Sequence, residues 1–185
     1  MFVLSVLSCG VPGRIFPEKP SLPTMTTSGC ISPEPTQKDI DRALTFAGQA
    51  IDPVEWKRNH SVAENRVAVT WSNVSQSAII YLEALVFPCG YGDADLNDYF
   101  SAENWKIIFS NYDGYQLLED CTTEDGLRRY QFEAANQGLD YDIRYWVKAD
   151  TDTRVITMMV VFPVGSETQL DDVSSRLFPD LVSCP

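Results

Sequence analysis

Few side chains in this 185-residue chain have the type and spacing that chemistry needs. The only histidine, His60, lies in Arg58-Asn59-His60-Ser61, which reads as a loop. A hydrolytic triad needs a base beside a nucleophile, with a third group to orient the base. The chain has no Gly-x-Ser-x-Gly elbow, so His60 is expected to be a solvated loop side chain. Phosphate-cradling and dinucleotide-binding glycine motifs are also missing, which leaves nucleotide cofactors without support, and no cofactor is expected. Asp93-Ala94-Asp95-Leu96-Asn97 begins like a calcium loop. It then places Asp98 where the tight turn needs Gly and Asn104 where a bidentate Glu is required, so a helix-capping acidic run accounts for it better. Asp150 and Asp152 are read as turn-forming residues whose side chains bond their own backbone. Glu119, Asp120, Glu124 and Glu133 offer the carboxylates that glycoside hydrolysis pairs, but their spacing selects no pair.

One position suggests recognition. Trp146 shares a strand face with Asp142, Arg144 and Lys148. A tryptophan there is either covered by a helix or part of a binding surface, and Trp146, Arg144 and Lys148 form the candidate binding residues. The surrounding protein is acidic: 14 Lys and Arg against 26 Asp and Glu give a net charge of -12. That balance opposes binding to phosphate backbones and anionic headgroups, so no nucleic acid partner is expected. The acidic residues are dispersed, as on a solvated surface. Asn59-His60-Ser61 and Asn73-Val74-Ser75 match glycosylation acceptors, which matter only in a eukaryotic secretory setting.

The N-terminus bears on location. Val6-Leu7-Ser8-Cys9 before Gly10 resembles a bacterial lipobox, in which the cysteine becomes the lipidated first residue; no Lys or Arg precedes it. Residues 1–9 are therefore read as a truncated signal with Cys9 as the lipidation site, the alternative being a plain apolar terminus. Residues 10–35 hold six of the 11 prolines and form an extended tether. Of the five cysteines, Cys30, Cys89, Cys121 and Cys184 remain, an even number suited to disulfides. Three pairings are open. The favoured one joins Cys89 to Cys121, at strand edges beside the helix between them, and Cys30 to Cys184. Widely separated cysteines and one histidine do not make a zinc framework, and no metal site is expected.

The elements that must position these residues are strands and three helices. Leu139 to Ala149 alternates apolar and polar residues, Asp150 to Thr153 is a turn, and Arg154 to Phe162 is apolar on both faces and stopped by Pro163. This hairpin is expected at the centre of the sheet, its second arm covered on two sides. Other strands are expected over Arg66 to Trp71, Ala78 to Phe87, Tyr115 to Cys121 and Leu127 to Ala135. Helices are expected from Thr36 to Ile51, from Asp95 to about Ile108, and after Ser166. No stretch of the body approaches the roughly 18 apolar residues of a spanning helix. The fold class is thus α+β, an antiparallel β-sheet of about six strands with helices packed on it, in one domain over residues 36–185.

From about Gly114 to Cys184 this succession resembles the PsbP/Mog1-like α/β sandwich: an amphipathic strand pair, a long strand, an apolar strand ending in Phe162-Pro163, a short helix and a terminal Leu177-Phe178 segment. The resemblance implies an envelope protein, since bacterial members are often lipoproteins on extracytoplasmic surfaces. It carries over no functional residue. The expected function is a non-catalytic, extracytoplasmic, lipid-anchored binding or accessory domain whose partner is an envelope protein or a small ligand. A small carboxylate-dependent enzyme and a purely structural envelope domain are the alternatives.

Overall fold

Every residue from Val155 to Phe162 is buried, and the strand that holds them, β7 (Arg154–Pro163), is the middle of an antiparallel sheet. The structure is a computed structural model that describes residues 38, 41, 44–45, 51, 54–63, 66–87 and 89–185. Among these the other strands are β1 (Lys57–Ala63), β2 (Arg66–Asn73), β3 (Ala78–Val86), β4 (Gly114–Thr122), β5 (Arg128–Asn136) and β6 (Leu139–Thr151). Their order is β1-β2-β3-β7-β6-β5-β4. The sheet thus has seven strands among the described residues, one more than expected. The addition is β1, whose polar Lys57-Arg58-Asn59-His60-Ser61 carries no apolar alternation because it sits at an edge, where side chains need no packing partner. His60 is therefore on an exposed edge strand, paired with Val69, rather than in a loop.

The chain reaches the far edge through helices. After β3, α1 (Asp93–Tyr99) and α2 (Ala102–Ile108) cross one face, and β4 to β7 return to the centre as a meander. The single helix expected over this stretch is broken at Phe100-Ser101, where extended Ser101 (φ -82°, ψ 164°) starts a new helix. The break turns Tyr99 and Phe100 into the core together. Against them Trp105 meets Tyr130, Phe132 and Tyr145 edge-on at 4.9–5.5 Å, a favoured ring geometry. Ala68, Tyr81, Leu85, Ile143, Met159 and Val161 complete this face. Glu83 is also buried there, on the strand face that carries Tyr81 and Leu85. Burial raises the Tyr145 hydroxyl pKa well above its usual range, and the charge of Glu83 adds to that.

The opposite face carries Val67, Val69, Trp71, Ile80, Leu82, Met158, Val160 and Phe162. Over it lie α3 (Glu167–Leu177), through Leu170, Val173 and Leu177, and a 3-10 turn at Pro179–Leu181. Trp56 meets Phe162 edge-on at 6.0 Å. The helix expected from Thr36 to Ile51 falls largely outside the described residues; Lys38, Asp41, Leu44 and Thr45 are helical, and Leu44 packs against this cluster. No helix among the described residues is long and apolar enough to cross a membrane.

The favoured cysteine pairing is overturned: Cys121 is bonded to Cys184. Cys89 follows β3 and Cys121 is on β4, four positions apart in the sheet. At about 4.8 Å per strand that is roughly 19 Å, far beyond the reach of a disulfide. Closeness in sequence misled because the two helices between them span the sheet. Cys89 is also disulfide-bonded.

Candidate functional site

The half of the sheet formed by β4, β5 and β6 differs on its α3 side from everything else in the protein. Its paired positions form four cross-strand rows: Cys121, Arg129 and Trp146; Glu119, Gln131 and Arg144; Gln116, Glu133 and Asp142; Gly114, Ala135 and Asp140. A bulge at Leu118, between Leu117 and Glu119, puts both Gln116 and Glu119 on this side, since strict alternation would send one of them to the other face. The result is a polar lane beside α3, with arginines at one end and carboxylates at the other.

At the arginine end both guanidiniums are buried. Arg129 is 1% exposed and donates from Nη1 to Glu119 Oε2 (3.0 Å) and from Nη2 to Gln131 Oε1 (2.7 Å). Nη1 also lies 3.6 Å from Cys184 Sγ. Arg144 pairs through Nη2 with Asp171 of α3. The acids stand closer to solvent than their partners, at 49% exposure for the Glu119 side chain and 58% for that of Asp171. Burial lowers the pKa of Arg129, the hydrogen bond to Glu119 opposes the shift, and the neighbouring Arg144 adds to it.

At the carboxylate end the lane opens into a depression of 340 Å³ lined by Tyr115, Gln116, Glu133, Asp140 and Val164 among others. Desolvation raises the carboxyl pKa of Asp142, and the charges of Glu167 and Glu133 add to it, partly offset by Arg144. This end therefore concentrates negative charge that a cation would relieve. Val164, in its wall, is an exposed apolar side chain.

The three residues picked out for recognition do not form one surface. Trp146 is fully buried, its ring stacked on Phe178 with centroids 4.9 Å apart and its Nε1-H donated to the Leu181 carbonyl at 2.9 Å. Of the two expectations for this residue, cover by a helix holds, and the reason is the aromatic and carbonyl supplied by the chain end. Arg144 lies under α3, and Lys148 is exposed. Of that group, only Arg144 is a charged member of the lane's four rows.

Other expected positions are also placed. The acidic run at Asp93 is helical: Gly92 N-H donates to Asp95 Oδ2 (2.7 Å), while Asp93 and Asn97 receive the Arg128 guanidinium at 3.1 and 2.6 Å. At the β6–β7 turn, Asp150 faces Arg154 at 3.8 Å, and Thr151 Oγ1 rather than an aspartate accepts the Thr153 N-H (3.4 Å). Asn73 is buried, its Oδ1 accepting from Ser75 Oγ at 2.7 Å, so it serves the β2–β3 turn. Glu119, Asp120, Glu124 and Glu133 are all exposed and do not converge in an apolar pocket. Among the described residues no group of three or more His, Cys, Asp or Glu side chains is placed to hold a metal ion. Sequence reasoning missed Arg129 and Asp171. The signal for Arg129 was available, since Arg129 and Gln131 are polar residues alternating with Tyr130 and Phe132 on a strand that must face a helix on one side.

No family model matches the chain, and no curated protein matches it significantly. Similar solved structures include LpqN of Mycobacterium tuberculosis, described as involved in cell envelope biogenesis, with a TM-score of 0.41 and 13% identity over 80% of this chain and 96% of that one. A STAR-related lipid transfer protein from Xanthomonas axonopodis gives 0.39 and 11%, over 67% and 93%. Human StAR-related lipid transfer protein 5 gives 0.39 and 11%, over 77% and 90%. None of these descriptions names a PsbP/Mog1-like domain.

Proposed function

We propose that this protein is a non-catalytic binding domain working outside the cytoplasm, in which residues 36–185 form the binding body, residues 10–35 tether it, and a lipid on Cys9 holds it at a membrane. The observation that carries the binding reading is the open end of the lane, a 340 Å³ depression with Glu133 and Asp140 in its wall and Asp142 and Glu167 beside it. Such a depression takes a cationic group: an amine of a small ligand, or a lysine or arginine of an envelope partner. Two carboxylates in the lining make it a poor seat for an acyl chain, because a buried carboxylate facing hydrocarbon loses its hydration without a partner. The extracytoplasmic part is supported by the Cys121–Cys184 disulfide, since such bonds persist in oxidising compartments. Glu119, Asp120, Glu124 and Glu133 are exposed, so these four carboxylates do not supply the enclosed, shifted member that an acid–base pair for catalysis requires.

The experiment is titration calorimetry of the whole chain with a tri-lysine peptide at low and physiological salt, repeated on Glu133→Gln/Asp140→Asn. The account expects binding at least tenfold weaker in the double variant. Equal affinity would mean that the peptide senses only the overall charge of -12 and that the depression is not the site.

A further inference from the structure

The disulfide at the other end of the lane has an asymmetric setting. Cys121 is on β4, the outermost strand, whose far side pairs with no described strand. Cys184 is in the chain end that folds back over the sheet, with its sulfur 3.6 Å from Arg129 Nη1. That guanidinium is almost wholly buried, so its field reaches the sulfur with little screening by water. The other charged groups of the patch are Glu119 on β4, Arg144 on β6 and Asp171 on α3. Both carboxylates are half in solvent while both cations are buried, and Glu119 pairs with the same Nη1 that contacts Cys184.

We infer that the Cys121–Cys184 bond is a thiol–disulfide exchange site in which an external dithiol attacks Cys121 and Cys184 leaves as the thiolate held by Arg129. In the first step the incoming thiolate forms a bond to Cys121 Sγ, and the electron pair of the S–S bond departs on Cys184 Sγ. In the second step the other sulfur of the dithiol, as thiolate, attacks its neighbour. That bond becomes the disulfide of the reductant, and Cys121 leaves as a thiolate that takes a proton from water. Two electrons pass from the dithiol to the protein. The direction follows from leaving-group ability, because the sulfur with the more stable thiolate leaves faster, and a neighbouring arginine lowers a thiol pKa below its free value of about 8.5. Arg129 also stands opposite Cys121 in the ladder, but it is Cys184 Sγ that its Nη1 contacts, at 3.6 Å. Opening the bond also releases the covalent hold on the segment whose Phe178 and Leu181 cover Trp146.

The test uses the whole oxidised chain and reduced glutathione, a monothiol that halts the reaction at the mixed disulfide. After acid quenching and alkylation, peptide mass spectrometry reads where glutathione sits. The inference expects the adduct on Cys121 and the alkyl group on Cys184, in at least fivefold excess over the reverse arrangement. Equal or inverted amounts would overturn it. A second measurement follows the pH dependence of iodoacetamide reaction at Cys184 in Cys121→Ser. The midpoint is expected below about 8.5 and is expected to rise in Cys121→Ser/Arg129→Gln. A midpoint at or above the free-thiol value in Cys121→Ser would contradict a thiolate stabilised by Arg129. The glutathione mapping needs no substitution and decides the matter even if those variants fold poorly.

Discussion

Trp146 separates the two readings that the sequence left open, and replacing it has a calculable consequence. The side chain is fully buried, stacked on Phe178, and bonded through Nε1-H to the Leu181 carbonyl. Removing a buried tryptophan ring costs about 3–5 kcal/mol through lost transfer and cavity terms. The aromatic pair adds about 0.5–1.5 kcal/mol, and part of all this returns as the chain end collapses into the space. The expected loss for Trp146→Ala is about 4–5 kcal/mol, which at roughly 2–4 °C per kcal/mol for a chain of this size is a fall in Tm of roughly 8–20 °C. Trp146→Phe keeps a ring but leaves the carbonyl without its donor, and should lose about 1–3 kcal/mol. Urea unfolding followed by far-UV circular dichroism, with thermal melts beside it, measures both. If Trp146→Ala costs less than about 0.5 kcal/mol, the usual range for an exposed side chain, Trp146 is on a surface and the covering role given to the chain end is wrong.

Cys184→Ser opens a loop with a sequence separation of 63. The chain-entropy relation gives about 4 kcal/mol for that length, and about 2–4 kcal/mol is the expected loss in urea titrations at neutral pH. Asp142 has its folded pKa raised by desolvation and by Glu167 and Glu133. The folded state therefore holds the proton more tightly than the unfolded chain, and stability falls as pH rises from the unperturbed aspartate value of about 3.9 through the raised one. Asp142→Asn should accordingly stabilise the protein at pH 7 and have no such effect at pH 3. A variant that is no more stable at pH 7 than at pH 3, relative to wild type, would refute the crowding of charge at this end. Cys9→Ser should abolish incorporation of labelled fatty acid and release the protein from membranes; unchanged membrane association would remove the anchor from the account.

The fold was legible where a single strand or helix carried its own pattern. The apolar run from Val155 to Phe162 and the alternation from Leu139 to Ala149 located β7 and β6, because burial on two faces or one leaves a direct mark on residue type. Pattern was silent at β1, since an edge strand with polar faces obeys no period. It was partly wrong at α1 and α2, where Tyr99 and Phe100 are both apolar and adjacent, so one continuous helix accounted for them until Ser101 capped a second. The candidate site was harder to see. Trp146 and Arg144 stood out in the sequence because they share a face with Asp142 and Lys148. What covers Trp146 is Phe178 and Leu181, more than thirty residues away, and nothing local to β6 announces them. The disulfide failed for the same reason: pairing depends on strand order, and the crossing to the far edge through α1 and α2 is a property of the whole sheet.

The central claim is that the carboxylate end of the lane is a docking site for a cationic group. Its most direct measurement is an amide ¹H–¹⁵N titration of the whole chain with the tri-lysine peptide at physiological salt. The account predicts saturable shifts confined to Gly114 to Gln116, Glu133 to Ala135, Asp140 and Val164, the residues that line the depression. Shifts scattered over the acidic surface, or none in that group, would contradict it.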